Sequence, residues 1–352
     1  MQQVRIGKNE AGQRLDKFLG KYFKEATTSF LYKMLRKKNI ELNGKKASGN
    51  EKLCVDDVIG IFMANETIAK FRGIGQQTTK TVDEIKPVIP SKTYDFDVEK
   101  NIIYEDENVI FINKPTGILS QKSSPTDISL NEIIIDYLLE KNVLTREELL
   151  TFKPSICNRL DRNTSGLITF GKSLAGIQEL SKGFKDRTFD KYYIAVVWGK
   201  LTEKRTIEGY LIKDNARNRV TITKDSPASV DSSLYIKTEY EPVKHGILDI
   251  NGAHKSITLL KVKLITGKTH QIRAHLSSIG HSILGDDKYG IANANKYLKK
   301  NFKINYQMLH SYELHFNKLP EDEYKVLRIL ENMTFKAEYD KIYDKIFEVR
   351  NG

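Results

Sequence analysis

Asn158-Arg159-Leu160-Asp161-Arg162-Asn163-Thr164-Ser165-Gly166-Leu167 is the densest polar run in the long C-terminal part of the chain, and it leads directly into an apolar run, Leu167-Ile168-Thr169-Phe170. Turn formers followed at once by β-branched and aromatic residues read as a loop delivering the chain into a strand. Between two arginines the charged form of Asp161 is favoured, so it can serve as nucleophile or base. An ordinary Asx turn with surface ion pairs fits the same residues. Outward from this point, Val109-Ile110-Phe111-Ile112, Tyr193-Ile194-Ala195-Val196-Val197 and Ile257-Thr258-Leu259-Leu260-Lys261-Val262 repeat the strand pattern. Helical runs are few and do not alternate with the strands. The chain from Ile102 to Phe316 is therefore expected to be an α+β domain on a mainly antiparallel mixed sheet with flanking helices.

The rest of the chain divides into three blocks. In the first, ending at Met63, Thr27-Thr28-Ser29 offers a cap for the helix Phe30–Lys38. Phe30, Met34, Leu31 and Leu35 would share its buried side, leaving Lys33, Arg36 and Lys37 on the other. Ile40-Glu41-Leu42 alternates like a strand into the turn Asn43-Gly44, and Val58–Phe62 closes the block. Residues 64–97 carry Gly73-Ile74-Gly75, Pro87 and Pro90 and read as a linker. Residues 321–348, rich in Glu, Lys and Tyr, read as terminal helix. The expected domains are thus 1–63, a linker 64–97, and 98–352.

Composition narrows the function classes. At 352 residues with 39% apolar and 29% charged side chains, the chain is neither disordered nor fibrous. It has no apolar stretch of membrane-spanning length and no apolar leader after Met1, and so reads as cytoplasmic. Cys54 and Cys157 supply neither a disulfide framework nor a four-cysteine zinc site. Lys and Arg number 57 against 45 Asp and Glu, a net charge of +12. Residues 1–60 hold 13 basic and 7 acidic side chains, half the whole excess in about a sixth of the chain. Such focusing suits a phosphate backbone as partner.

Two further motifs invite other chemistries. Thr266 to Leu276, with Gly280-His281 and Gly285-Asp286-Asp287-Lys288-Tyr289-Gly290, gathers three histidines and an Asp pair. His270 and His275 are five apart, however, which suits neither one helix face nor one strand face, and no metal is expected. Gly166–Ser173 satisfies GxxxxGKS, but its bulky Leu, Ile and Phe favour a strand over a loop curled around phosphates.

Together these segments resemble RluA-type pseudouridine synthases. Asn158–Leu167 is similar to HRLDRxTSGL, Lys191–Gly199 to KxYxAxVxG, Thr266–Leu276 to TGRTHQIRVHL, and Gly280–Gly290 to GHPIxGDxxYG. Tyr104–Gly117 resembles the opening YEDExxxxxxKPxG, and Leu309-His310-Ser311 the later LHA element. Arg14–Leu19, the basic helix and Ile40–Lys45 resemble an S4 RNA-binding domain. The resemblance implies isomerisation of uridine to pseudouridine in RNA, most readily large-subunit ribosomal RNA with transfer RNA as another substrate, by a monomer without metal or organic cofactor. It assigns Asp161 as the catalytic carboxylate, Arg273 as its partner and Tyr193 as the tyrosine against the uracil. Arg159 would fill the stack left by the extruded nucleotide. Arg162, His270 and Gln271, with Lys33, Arg36 and Lys37 of the basic helix, would be further RNA contacts. Asn158 departs from the family's usual His. The rival readings are a non-catalytic RNA-binding or assembly factor on the same fold, and an ATP-driven RNA enzyme using Gly166–Ser173.

Overall fold

The computed structural model describes residues 2–73, 95–146, 148–214, 219–224 and 234–348. The chain divides into two compact units, one of residues 1–96, 131–155 and 171–178, the other of the remainder. The first unit contains β1 (Gln2–Arg5), α1 (Leu15–Tyr22), α2 (Thr28–Arg36), β2 (Ile40–Leu42), β3 (Lys45–Lys46), β4 (Val58–Ile61) and α3 (Asn65–Phe71). Thr27 caps α2 as its sequence suggests, its hydroxyl accepting from the Phe30 amide. Leu31, Met34 and Leu35 are buried from α2 into a core with Phe18, Leu19, Ile40 and Ile59, while Lys33, Arg36 and Lys37 stay exposed. The strands order as β1-β4-β2-β3 in an antiparallel sheet.

Two boundary expectations change. Residues 65–71, read as the start of a linker, form α3, because Ile68 and Phe71 find apolar partners in this core. Within that linker, residues 74–94 lie outside the described residues. The first unit is also discontinuous in sequence, since within it the Thr151 hydroxyl donates to Glu10 at 2.7 Å and the Leu174 amide to Asn9 at 3.2 Å. No periodicity announces such long-range bonds.

The chain continues through β5 (Ile102–Glu105), β6 (Val109–Lys114), α4 (Leu130–Glu140), α5 (Glu148–Thr151), β7 (Ser155–Ile156), β8 (Ser165–Gly171), α6 (Leu174–Asp186), β9 (Phe189–Trp198), β10 (Arg205–Asp214), β11 (Arg219–Thr223), β12 (Leu234–Ile250), β13 (Ala253–Leu264), α7 (Gln271–Ser278), α8 (Ala292–Phe302), β14 (Leu309–Phe316), β15 (Thr334–Lys336) and α9 (Ile342–Lys345). Among the described residues the main path of the large sheet runs β11-β10-β12-β13-β9-β14-β8-β6-β5. β14 and β8 pair in parallel; the pairings of β9 with β13 and β14, and of β12 with β10 and β13, are antiparallel. This is the mainly antiparallel mixed sheet that the strand-rich, weakly alternating sequence suggests. Consecutive buried residues in β9, β13 and β8 show strands covered on both faces.

The phosphate-loop pattern Gly166–Ser173 is mostly strand. Its first six residues lie within β8 and are buried, so no loop exists there to curl around a nucleotide. Gly166 has φ +109°, and a Cβ there would lie 2.2 Å from the Ser311 carbonyl oxygen. Its glycine thus serves close strand approach. The expected terminal helix over 321–348 is also replaced, by a 3-10 turn at Arg328–Leu330, β15, the single α-helical turn of α9 and irregular chain. Leu327, Leu330, Phe335 and Ala337 there pack beside Phe111, Phe189 and Phe316, an apolar spacing that no single helical face supplies.

Two deeply buried histidines make this second unit acid-sensitive. His275 is fully buried and His310 is 2% exposed, and burial pushes each imidazole down to about 4 from 6.5. Between pH 6.5 and 4 the unfolded chain binds protons that the folded chain refuses, so stability falls as pH drops through that window. The expected loss is on the order of 3 kcal/mol for each histidine. Urea unfolding at pH 7, 5.5 and 4 should show it, and His310→Asn should make the slope shallower. A flat profile would contradict this.

Candidate active site

The loop that carries Asp161 is fixed on both sides of the carboxylate. Asn158 Oδ1 accepts from the Thr169 amide at 2.7 Å and the Thr169 hydroxyl at 3.0 Å, and Nδ2 donates to the Leu167 carbonyl at 3.3 Å. Asparagine at this position therefore holds the turn against β8 with its own hydrogen bonds. Ser120 Oγ accepts from the Leu160 amide and donates to the Leu160 carbonyl. The Arg162 carbonyl accepts from the Gly117 amide and from Lys114 Nζ at 3.1 Å, and Gln307 Nε2 donates to Thr164 Oγ1 at 3.1 Å. Lys114 is fully buried and also donates to the carbonyls of Pro115 and Ile118. Burial pushes its ammonium down to about 7, opposed by the charge of Asp161. Three carbonyl acceptors match the three N–H bonds of the protonated form. A loop so tied presents its aspartate in one geometry before any substrate arrives.

Opposite the loop stands α7. Its first residue, Gln271, is 2% exposed and fully engaged. Nε2 donates to the Lys237 carbonyl and Thr238 Oγ1, and Oε1 accepts from Thr266 Oγ1 and the Lys268 amide. Gln271 is therefore an anchor for the helix, which corrects its expected role as an RNA contact: its motif position gives no hint of burial. Ala274 and Tyr289 pack against Leu211, Val220 and Ile236 of β10, β11 and β12, holding α7 on the sheet.

Arg273, 5% exposed, projects from α7 to two carboxylates. Nη1 donates to Asp161 Oδ2 at 2.7 Å; Nε and Nη2 donate to Asp286 Oδ2 and Oδ1 at 2.7 and 2.9 Å. Burial disfavours the guanidinium charge, but Asp286 and Asp161 outweigh it and raise Arg273 above its ordinary range. Burial likewise works against charged Asp286, and Arg273 with the Lys288 and Tyr289 amides overcomes it and lowers the carboxyl. In the sequence Asp286 is only one of an Asp pair beside three histidines, and its spacing from Arg273 gives no sign of the pairing.

Three other residues complete the surroundings of Asp161, whose side chain keeps 30% of its surface exposed. Tyr193, on β9, is 7% exposed, and burial, aided by the charge of Asp161, pushes its phenol up to about 12. It is therefore protonated at neutral pH. His270 caps α7 in a left-handed conformation, φ 53°, with Nε2 3.7 Å from Asp161 Oδ2. Burial is the main cause lowering its pKa, so the imidazole is neutral near pH 7. Tyr289 Oη accepts from the Val220 amide and lies within hydrogen-bonding distance, 3.0 Å, of His270 Nδ1. Arg159 and Arg162 are exposed on the loop beside Asp161.

Asp161, Tyr193 and the neighbouring pair His270 and Arg273, three segments far apart in sequence, thus meet at one place, with Arg159 and Arg162 flanking it. No three His, Cys, Asp or Glu side chains cluster to hold a metal ion among the described residues, and no helix there is long and apolar enough to cross a membrane.

This arrangement can be set beside known proteins. The RNA pseudouridylate synthase profile matches residues 108–278, which include Asp161, Tyr193 and Arg273. An uncharacterized RNA pseudouridine synthase of Helicobacter pylori is 31% identical over 274 residues, 77% of this chain and 78% of that protein. The ribosomal large subunit pseudouridine synthase C of Buchnera aphidicola is 28% identical over 314 residues, 89% of this chain and 88% of that protein. The solved structure of human RNA pseudouridylate synthase domain containing 4 shares the fold, with a TM-score of 0.51 at 18% identity over 71% of this chain and 93% of that one. With that extent of identity to its relatives, the chain belongs to the RNA pseudouridine synthase family and is an isomerase acting on RNA.

Proposed function

We propose that this enzyme is an RluA-type synthase that converts uridine to pseudouridine in large-subunit ribosomal RNA, with Asp161 as the reacting carboxylate. The observation that carries the assignment is the 2.7 Å bond from buried Arg273 to Asp161 beside buried Tyr193. The reaction breaks the N1–C1′ bond, joins C5 to C1′, loses the C5 proton and returns one to N1. A charged carboxylate serves it by attacking C1′ or by taking a ribose proton as the base leaves. Arg273 aims that carboxylate through the Nη1 bond. Tyr193, neutral, packs its ring on the uracil and keeps it from escaping while it turns. A base within a helix is out of reach, so the nucleotide swings out, and exposed Arg159 takes its place in the stack. Arg162 and His270 line the approach.

The first unit, with its basic helix face of Lys33, Arg36 and Lys37, supports the reading of an S4-type module that grips the RNA backbone. The target class rests on relatives such as the Buchnera enzyme. Purified protein is expected to form pseudouridine in protein-free large-subunit ribosomal RNA with EDTA present. Conversion of transfer RNA alone would move the target, and no conversion of either RNA would refute the proposal.

A further inference from the structure

The segment Gly285-Asp286-Asp287-Lys288-Tyr289-Gly290 has a defined shape. Gly285 has φ +75°, and a Cβ there would fall 2.2 Å from the Tyr306 carbonyl oxygen, so only glycine fits where the chain turns. The turn then closes on Asp286 itself. Its Oδ1 accepts from the Lys288 and Tyr289 amides at 2.9 and 3.0 Å, and its carbonyl accepts from the Gly290 amide and Asn295 Nδ2, each at 2.9 Å. The outcome is one fully buried carboxylate, fixed through side chain and backbone, facing Arg273.

How Arg273 divides its donors follows from this. A guanidinium binds a carboxylate best through two parallel N–H bonds. Here that two-nitrogen fork goes to Asp286, through Nε and Nη2, and only Nη1 reaches Asp161, through Oδ2 alone. Among the described residues Asp161 Oδ1 accepts no hydrogen bond. We infer that Asp286 is a positioning residue for the reaction: by occupying the guanidinium fork it limits Arg273 to an end-on hold of Asp161 and leaves one carboxylate oxygen unencumbered for the sugar. Without Asp286 the guanidinium is free to swing and bind both oxygens of Asp161, a more stable pair and a worse reagent. The second carboxylate also offsets the arginine's charge, so Asp161 faces a partly neutralised cation.

This inference rests on Asp161 being the reacting group, and the test separates the two. Asp286→Asn keeps an acceptor for the Lys288 and Tyr289 amides but replaces the fork's charged partner. Under single-turnover conditions it is expected to lower the rate about 100-fold with RNA affinity within about threefold. In an Arg273→Met background the same change is expected to alter the rate less than about threefold, because the arginine through which it acts is gone. A rate near wild type in folded Asp286→Asn would overturn the inference, as would an equal loss in both backgrounds. Should Asp286→Asn fail to fold, Asp286→Glu decides, since it keeps the charge but lengthens the arm that occupies the fork: a loss that disappears in the Arg273→Met background supports the inference and a near-normal rate overturns it. Turnover surviving in Asp161→Asn would instead refute the assignment of Asp161, whatever Asp286 does.

Discussion

Asp161→Asn is expected to lower turnover by at least about 10⁴-fold while RNA affinity changes only severalfold. The side chain keeps its size and its place in the loop, because that loop is held by Asn158, Leu160, Arg162 and Thr164 rather than by the carboxylate. On the proposed mechanism what disappears is the negative oxygen that meets the ribose, and an amide can neither attack C1′ nor take a proton from the sugar. Binding should persist because phosphate contacts, supplied by basic side chains elsewhere, dominate affinity for RNA. Filter binding and a pseudouridine assay on the same preparations separate the two effects. Near-normal turnover would move the chemistry to another residue.

Arg273→Met is expected to damage both the reaction and the fold. Losing the Nη1 contact leaves Asp161 without the donor that aims it, a loss of about 10²–10³ in turnover. It also strands Asp286, fully buried, with a charge and no cation, which costs about 3–5 kcal/mol of stability. Thermal melting of Arg273→Met and Asp161→Asn tests the asymmetry. The first should melt well below the wild type. The second should melt close to it, since its side chain is partly exposed and the fork to Asp286 survives. Equal melting of both variants would show that the buried pair contributes nothing.

The lines that meet at this site were legible in the sequence to different depths. Asp161 stands out because polar turn formers surround it and a strand follows, and its ordered companions at Tyr193 and Arg273 carry the family resemblance. The strands themselves declare their period, as do the cap at Thr27 and the basic face of α2. Burial and pairing at a distance are another matter. Gln271 and Arg273 are two residues apart in one motif, yet one is bonded to β12 and the other to the Asp161 carboxylate, a difference set by where β12 runs. Asp286 and Asp287 are alike in sequence; the structure buries the first against Arg273 and exposes the second. Nor does local pattern reveal that β8 pairs in parallel with β14, about 145 residues away, or that α3 is rescued from the linker by Ile68 and Phe71. Such facts belong to the folded chain.

Mapping pseudouridine across cellular RNA in a deletion strain, complemented with the wild-type gene or with Asp161→Asn, tests the central claim most directly. At least one uridine of large-subunit ribosomal RNA should be unmodified in the deletion, restored by the wild type and left unmodified by Asp161→Asn. A map identical in all three strains, or one restored equally by both genes, would contradict it.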